Sequence, residues 1–418
     1  MHRTSLIALT FGAAASAAFV EPRGLAARPS SPATVRHAAA AHAPTMIIDQ
    51  LKDAAKAVEG AAAQQIVAGK VADKLAKARE KYDIPDKWAG IMEGFFTSYM
   101  TEVYRAGNDV DHYEKVLTSL FKKVLETSNE PYKFAPFHEA IREPFDYYAL
   151  GNEFATGVIN RDTSVIVGED NLAKLREQVA AGDNVVLLAN HQSEADPQIF
   201  SVLLDPVVPG FAESTIFVAG DRVTTDLLAQ PFSMGRNLLC IFSKKHIENP
   251  PEQKSEKSRH NRNVMKKMQE LFKEGGKVIW VAPSGGRDRK DADTGSYKVA
   301  PFDSKSVEMF RLMADKAGKT THFYPLSMLT YNVCPPPEAV GGAVGEQRTV
   351  KWSPAALHFG EEVDLEAFAA GCVVEDFPKD CVDSPRDVLR DALSEHIHGI
   401  VSSNYVGLEE QMEGKLDD

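Results

Sequence analysis

The sequence predicts an α/β fold: a small N-terminal helical bundle, then a larger domain with a central, mostly parallel sheet flanked by helices. Two observations carry this. From about residue 136 onward, short apolar runs alternate with amphipathic stretches, a pattern that builds parallel sheets. Before that point apolar residues recur at helical spacing, with little strand character. The length of 418 residues also exceeds what one simple core holds.

Residues 1–45 are set aside as a bipartite targeting presequence. His2 and Arg3 precede an apolar run from Leu6 to Val20, the shape of a secretory signal. Arg23, Arg28 and Arg36 follow with Ser30 and Ser31, and no acid lies between Glu21 and Asp49, as in organelle transit peptides. The two signals in series, joined at Ala17–Val20, resemble the leader of algae whose plastid is wrapped in extra membranes, and imply a plastid stroma address. The alternative is a secreted protein with a linker, which the scarcity of cysteine disfavours.

Residues 46–135 are expected to form the helical domain. Ile47, Ile48 and Leu51 open one pattern and Val71, Leu75 and Ala78 another; Val103, Val110, Val116, Leu120 and Val124 mark further helices. No chemical motif stands there. In the α/β domain, residues 136–418, six runs read as strands: Val185–Ala189, Ile216–Ala219, Leu238–Phe242, Val278–Ala282, Phe323–Leu329 and Leu357–Phe359. Val264, Met268, Leu271 and Phe272 lie on one helix, stopped by Gly275 and Gly276. Ser384, Pro385 and Asp387 open a last one.

Hydrophobic content of 44% and charged content of 25% are those of a globular protein. The net charge of −12 argues against nucleic acid as a partner. Yet residues 244–290 hold thirteen Lys and Arg against six acids, which suits an anionic ligand or an acidic partner. No apolar run of about 18 residues follows the N-terminus, so membrane association is expected to be peripheral at most, and the chain is read as a monomer. Cys240, Cys334, Cys372 and Cys381 form no CxxC pair and are read as reduced thiols.

The most informative segment runs from Val185 to Pro197. A buried strand ends at Ala189, and Pro197 favours a helix start, which makes Asp196 the expected N-cap. His191 then sits on the turn where ligands collect in open α/β sheets. Across that corner the Asp196 carboxylate can accept the Nδ1 proton of the imidazole, leaving Nε2 to deprotonate a hydroxyl. No serine partner is present, so the hydroxyl belongs to the substrate. A bare H-x4-D is short, and a merely packed histidine beside a capping aspartate is the bland alternative.

Ser243–His246 and Ala282–Arg289 each follow a strand, which in a parallel sheet places them at the same edge as His191. Arg287 and Arg289 can grip phosphate oxygens in a fork, and Lys245 adds a point charge. Gly285 and Gly286 let backbone approach a ligand closely, with Ser284 expected to line the same pocket. Gly235 and Arg236 either line the same pocket or form a tight turn.

With these residues in view, the sequence resembles the soluble plastidial glycerol-3-phosphate acyltransferases. Ala140–Tyr148, Asn190–Pro197, Phe217–Val223, Phe232–Asn237, Ser243–His246, Ala282–Asp288 and Pro301–Asp303 carry the likeness. It is close over residues 136–340 and weak over 46–135. The resemblance implies transfer of a fatty acyl group from acyl carrier protein or coenzyme A to the C1 hydroxyl of glycerol 3-phosphate. It implies a catalytic pair at His191 and Asp196 and a phosphate site at Lys245, His246, Arg287 and Arg289. The wider superfamily also uses a Gly-Arg block, here Gly235 and Arg236, and a proline-bearing strand, here Tyr324–Leu326. That superfamily carries a glutamate where Ser284 stands, a departure shared by the plastidial branch. No metal, cofactor or acyl-enzyme is needed. The basic stretch 254–277 is expected to dock acidic acyl carrier protein. A lysophosphatidate acyltransferase is the nearest alternative, opposed by Ser284 and by the missing membrane segment. A phosphatase would want a Cys-x5-Arg loop or metal carboxylates. A carrier-binding module without turnover leaves the His191–Asp196 pair unexplained.

Overall fold

One strand positions the corner that carries His191. Val185–Ala189 is apolar without a break because both of its faces are covered. A computed structural model describes residues 65, 68–80, 84, 86–243, 247–291, 293–335, 347–371 and 385–416. The expected presequence, the pattern at Ile47, Ile48 and Leu51, and the residues Lys244, Lys245, His246, Cys372 and Cys381 lie outside these.

Among the described residues there are ten strands: β1 (Phe137–His138), β2 (Val165–Val167), β3 (Asn184–Ala189), β4 (Ile216–Gly220), β5 (Asn237–Ile241), β6 (Val278–Val281), β7 (Arg289–Lys290), β8 (Tyr297–Lys298), β9 (Thr321–Leu329) and β10 (Ala356–Phe359). Eight form one sheet in the order β1-β5-β4-β6-β3-β9-β10-β2, and β7 pairs with β8 in a separate ribbon. The contacts β4–β5, β4–β6, β3–β6, β3–β9 and β2–β10 are parallel; β1–β5 and β9–β10 are antiparallel. All six expected strands occur, with ends moved by a residue or two. β1, β2 and the β7–β8 ribbon were not expected, since two or three residues are too few to show a period of two.

Side chains alternate across β3. Val186 and Leu188 join Val264, Met268, Ile279 and Phe310 in one cluster, under the helices Lys254–Glu274 and Ser304–Ala317. Val185, Leu187 and Ala189 face the other way, among Ile199, Phe200 and Leu204 of the helix Asp196–Leu204. Each such burial stabilises by about 1.5–3 kcal/mol, so the edge from which the next loop leaves is held from both sides. The long helix Pro385–Met412 covers β9 and β10 through Val401, Tyr405 and Leu408, and Ser327 donates its hydroxyl to Val401 O at 2.8 Å.

The expected helical region contains helices over 68–79, Asp86–Arg105 and Val110–Asn129. Asp109 caps the last by accepting the His112 N–H at 3.1 Å. These helices share a core with the sheet. Tyr99 stacks on Phe154 at 4.0 Å between ring centres and donates its hydroxyl to Phe154 O at 3.0 Å. Phe95, Tyr99, Leu120 and Leu187 belong to one apolar cluster. Among the described residues no helix is long and apolar enough to cross a membrane.

Candidate active site

Three neighbouring parallel strands, β6, β3 and β9, deliver their C-terminal ends to one edge. The register sets Leu188 beside Val281 and Ala189 beside Leu326. β9 runs three residues further than β3, so its backbone needs partners after β3 turns away. Side chains supply them. Asn190 accepts the Met328 N–H at 2.7 Å and donates to Met328 O at 3.0 Å; Gln192 accepts the Thr330 N–H at 2.8 Å. Two amide side chains thus continue the ladder, and His191 between them is aimed away from it.

His191 Nδ1 lies 2.8 Å from Asp196 Oδ2. The Asp196 carboxylate is fully buried and meets three further donors: the N–H of Gln192 at 2.9 Å, the N–H of Ser193 at 3.1 Å and the Thr330 hydroxyl at 2.6 Å. Such surroundings suit an acceptor-only, ionised carboxylate, at the N-terminus of a helix whose dipole favours its charge. A carboxylate at this place accepts the proton of Nδ1, and Nε2 is the ring nitrogen turned away from Asp196. The His191 side chain is 26% exposed, enough for a substrate to reach. Trp280 of β6 packs edge to face against the ring, 5.9 Å between centres.

The helix begins at Asp196, with Ala195 in the cap position and Pro197 second. The expected N-cap role is therefore corrected. The carboxylate turns back over the loop to Gln192 and Ser193 instead of forward into the helix, because those amides and the imidazole are its nearest donors.

The loop after β6 is tied to this corner. The Asp288 N–H donates to His191 O at 2.6 Å. The Asp288 carboxylate, fully buried, accepts from Asn190 at 3.0 Å and from the Ala300 N–H at 2.9 Å. Burial pushes its carboxyl up to about 6, against the pull of these two donors. Arg287 lies alongside, with Nη1 3.3 Å from Glu194 Oε1. Arg289, two residues on, is exposed at the start of β7. Gly285 has φ +67°, which favours glycine there, and the Ser284 hydroxyl donates to Gly286 O at 2.9 Å. Lys245 and His246 lie outside the described residues.

Gly235 and Arg236 go elsewhere. A Cβ on Gly235 would sit 2.5 Å from the Tyr147 carbonyl carbon, so this glycine permits the close approach of the helix Tyr147–Thr156. The Arg236 guanidinium is buried, bonded to Ser201 at 2.5 Å and to Asn152, and lies over the Tyr148 ring at 4.5 Å. Burial draws its pKa down to about 10. Of the two readings open for this pair, packing and a turn fit the contacts, and pocket lining does not.

An apolar cavity of about 60 Å³ opens beside the His191 loop. Phe95, Phe154, Leu228 and Phe232 line it, with Glu194 and Arg348 at its polar end. Cys240 and Cys334 are free thiols; burial holds Cys240 up to about 12 and Cys334 to about 11, which keeps both unreactive. Among the described residues no cluster of three or more His, Cys, Asp or Glu is arranged to hold a metal.

Sequence reasoning did not single out Asn190, Gln192, Thr330, Asp288, Glu194 or Arg348. Asn190 and Gln192 carried a signal, two amides flanking a histidine at the end of a buried strand. Thr330 follows an expected strand and becomes visible only through register. Arg348 carries none.

A family model described as Acyltransferase matches residues 166–329, a stretch that includes β3, β9 and the His191–Asp196 corner. Among curated proteins, the chain is 38% identical over 293 residues to a chloroplastic glycerol-3-phosphate acyltransferase of Spinacia oleracea, covering 69% of this chain and 62% of that protein. It is 36% identical over 334 residues to one of Arabidopsis thaliana, covering 79% and 70%, and 36% identical over 344 residues to one of Pisum sativum, covering 82% and 73%. The chain belongs to the chloroplastic glycerol-3-phosphate acyltransferase family.

Proposed function

We propose that His191 is the general base of acyl transfer to glycerol 3-phosphate and that Asp196 orients it. Nε2 takes the proton of the C1 hydroxyl as that oxygen attacks the carbonyl carbon of an acyl thioester. The tetrahedral intermediate collapses, the C–S bond breaks, and the thiolate leaves with the proton returned by the imidazolium. Asp196 stabilises the transient positive charge. The ester product is 1-acyl-glycerol 3-phosphate. The mechanism uses no metal, cofactor or acyl-enzyme. The observation that carries it is the 2.8 Å contact between His191 and Asp196, with Arg287 tied to the same corner through Asp288.

Arg287 and Arg289, with Lys245 and His246, take the phosphate. Arg287→Ala is the test: losing charge-assisted hydrogen bonds worth about 1.5–3 kcal/mol raises KM for glycerol 3-phosphate about 10- to 100-fold. A changed preference among acyl donors, with unaltered glycerol 3-phosphate kinetics, would contradict the clamp. The apolar cavity beside Glu194 receives the start of the acyl chain. Its 60 Å³ is below the size of a ligand pocket, so donor binding has to widen it.

The acyl donor is carried by acyl carrier protein, with coenzyme A as the other carrier. Lys254, Arg259, Arg262, Lys266, Lys267 and Lys273 are exposed on one helix and present a cationic surface to an acidic protein. Charges across such a surface are screened as salt is added. Turnover with acyl carrier protein thioesters should therefore fall as salt rises, and salt-insensitive kinetics would remove the docking assignment. A plastid location is supported by the names of the relatives. The stroma is reached through the signal-plus-transit segment 1–45.

A further inference from the structure

We propose that Arg348 sets how tightly Arg287 grips the phosphate, by keeping Glu194 from closing on it. The proposal rests on Arg287 being a phosphate ligand. Glu194 stands between two guanidinium groups. Arg348 Nε holds its Oε2 at 2.7 Å, the length of a charge-assisted hydrogen bond, whereas Arg287 Nη1 stands 3.3 Å from its Oε1. Arg348 is fixed from behind: its Nη2 lies 3.0 Å from Asp226 Oδ2, and the other Asp226 oxygen accepts the N–H groups of Leu228 at 3.0 Å and Ala229 at 3.2 Å. Side chains of all four residues are between 9% and 21% exposed, so the contacts are little screened.

The consequence is a division of charge. Glu194 is committed to Arg348 by the short contact, and the longer one leaves Arg287 with charge to offer an incoming phosphate. Without Arg348, Glu194 would pair with Arg287 alone, and the phosphate would have to displace it. Arg348 lines the polar end of the acyl cavity but does not touch the phosphate; toward Arg287 it is a positioning residue.

A double-mutant cycle separates this from a structural role. Arg348→Met should raise KM for glycerol 3-phosphate on the order of tenfold, well beyond any change in KM for the acyl donor, as expected for one contact ion pair redirected. Adding Glu194→Gln removes the competing anion, and the Arg348→Met/Glu194→Gln protein should return to within about threefold of the parent. Arg348→Lys, which keeps the charge without the fork, should fall between. If Arg348→Met fails to fold because Asp226 loses its partner, Glu194→Gln alone decides: its KM for glycerol 3-phosphate should drop below that of the parent. Purely additive effects in the cycle, or a raised KM in Glu194→Gln, overturn the proposal. If Arg287→Ala leaves KM for glycerol 3-phosphate unchanged, the underlying reading fails and the inference falls with it. A raised KM in Arg287→Ala together with an additive cycle removes the inference alone.

Discussion

His191→Ala is expected to lose acyl transfer while keeping its fold. Removing the base costs at least the 10²–10⁴ in rate that positioned proton transfer supplies. The fold persists because Asp196 still meets the Gln192 and Ser193 amides and the Thr330 hydroxyl, so no buried charge is stranded. The imidazole is partly exposed, and the cavity left by its loss opens to solvent. Single-turnover rates with labelled glycerol 3-phosphate, beside a thermal melt, check both halves. A variant retaining a tenth or more of the parent rate would remove His191 from the mechanism.

Asp196→Asn is expected to be nearly as severe, for a different reason. Oδ2 takes two donors, His191 Nδ1 and the Gln192 N–H, and Oδ1 takes two more, the Ser193 N–H and the Thr330 hydroxyl. An amide has one oxygen. With its NH₂ toward the imidazole, Nδ1 must become the acceptor, the ring proton moves to Nε2, and the base is lost. With its NH₂ the other way, it faces the Ser193 N–H, and a buried donor goes unsatisfied at a cost of about 1–3 kcal/mol. We expect kcat to fall on the order of 10²–10⁴, with a lower melting temperature and little change in KM for glycerol 3-phosphate. A raised KM with kcat intact would assign Asp196 to substrate binding instead.

The two substitutions also show which link each residue occupies. With His191 proposed as the base, its loss is expected to be a loss of chemistry. Asp196 acts on His191 and on three loop donors at once, so its loss is felt in both rate and stability. That dual role follows from its position at the first turn of a short helix, where the preceding loop folds back over the carboxylate.

Much of this was legible in the chain. The six longer strands show themselves because each is long enough for a run of apolar residues bounded by polar turns. The helix ending at Gly275 was visible for similar reasons: periodicity and stop signals are local. His191, Asp196 and Arg287 could be named because five-residue spacing after a buried strand, and a glycine turn followed by arginine, are local as well. What the sequence could not decide was any partner separated by a long stretch of chain. Thr330 joins Asp196 only because β9 outruns β3; Asp288 joins His191 only because β6 and β3 are neighbours. Gly235 and Arg236 read equally as pocket lining or as a tight turn, and the burial of Arg236 against Tyr148 and Ser201 fits packing. Local pattern fixes which residues can do chemistry at a strand end. Strand order and register, which depend on contacts between distant segments, decide which of them meet.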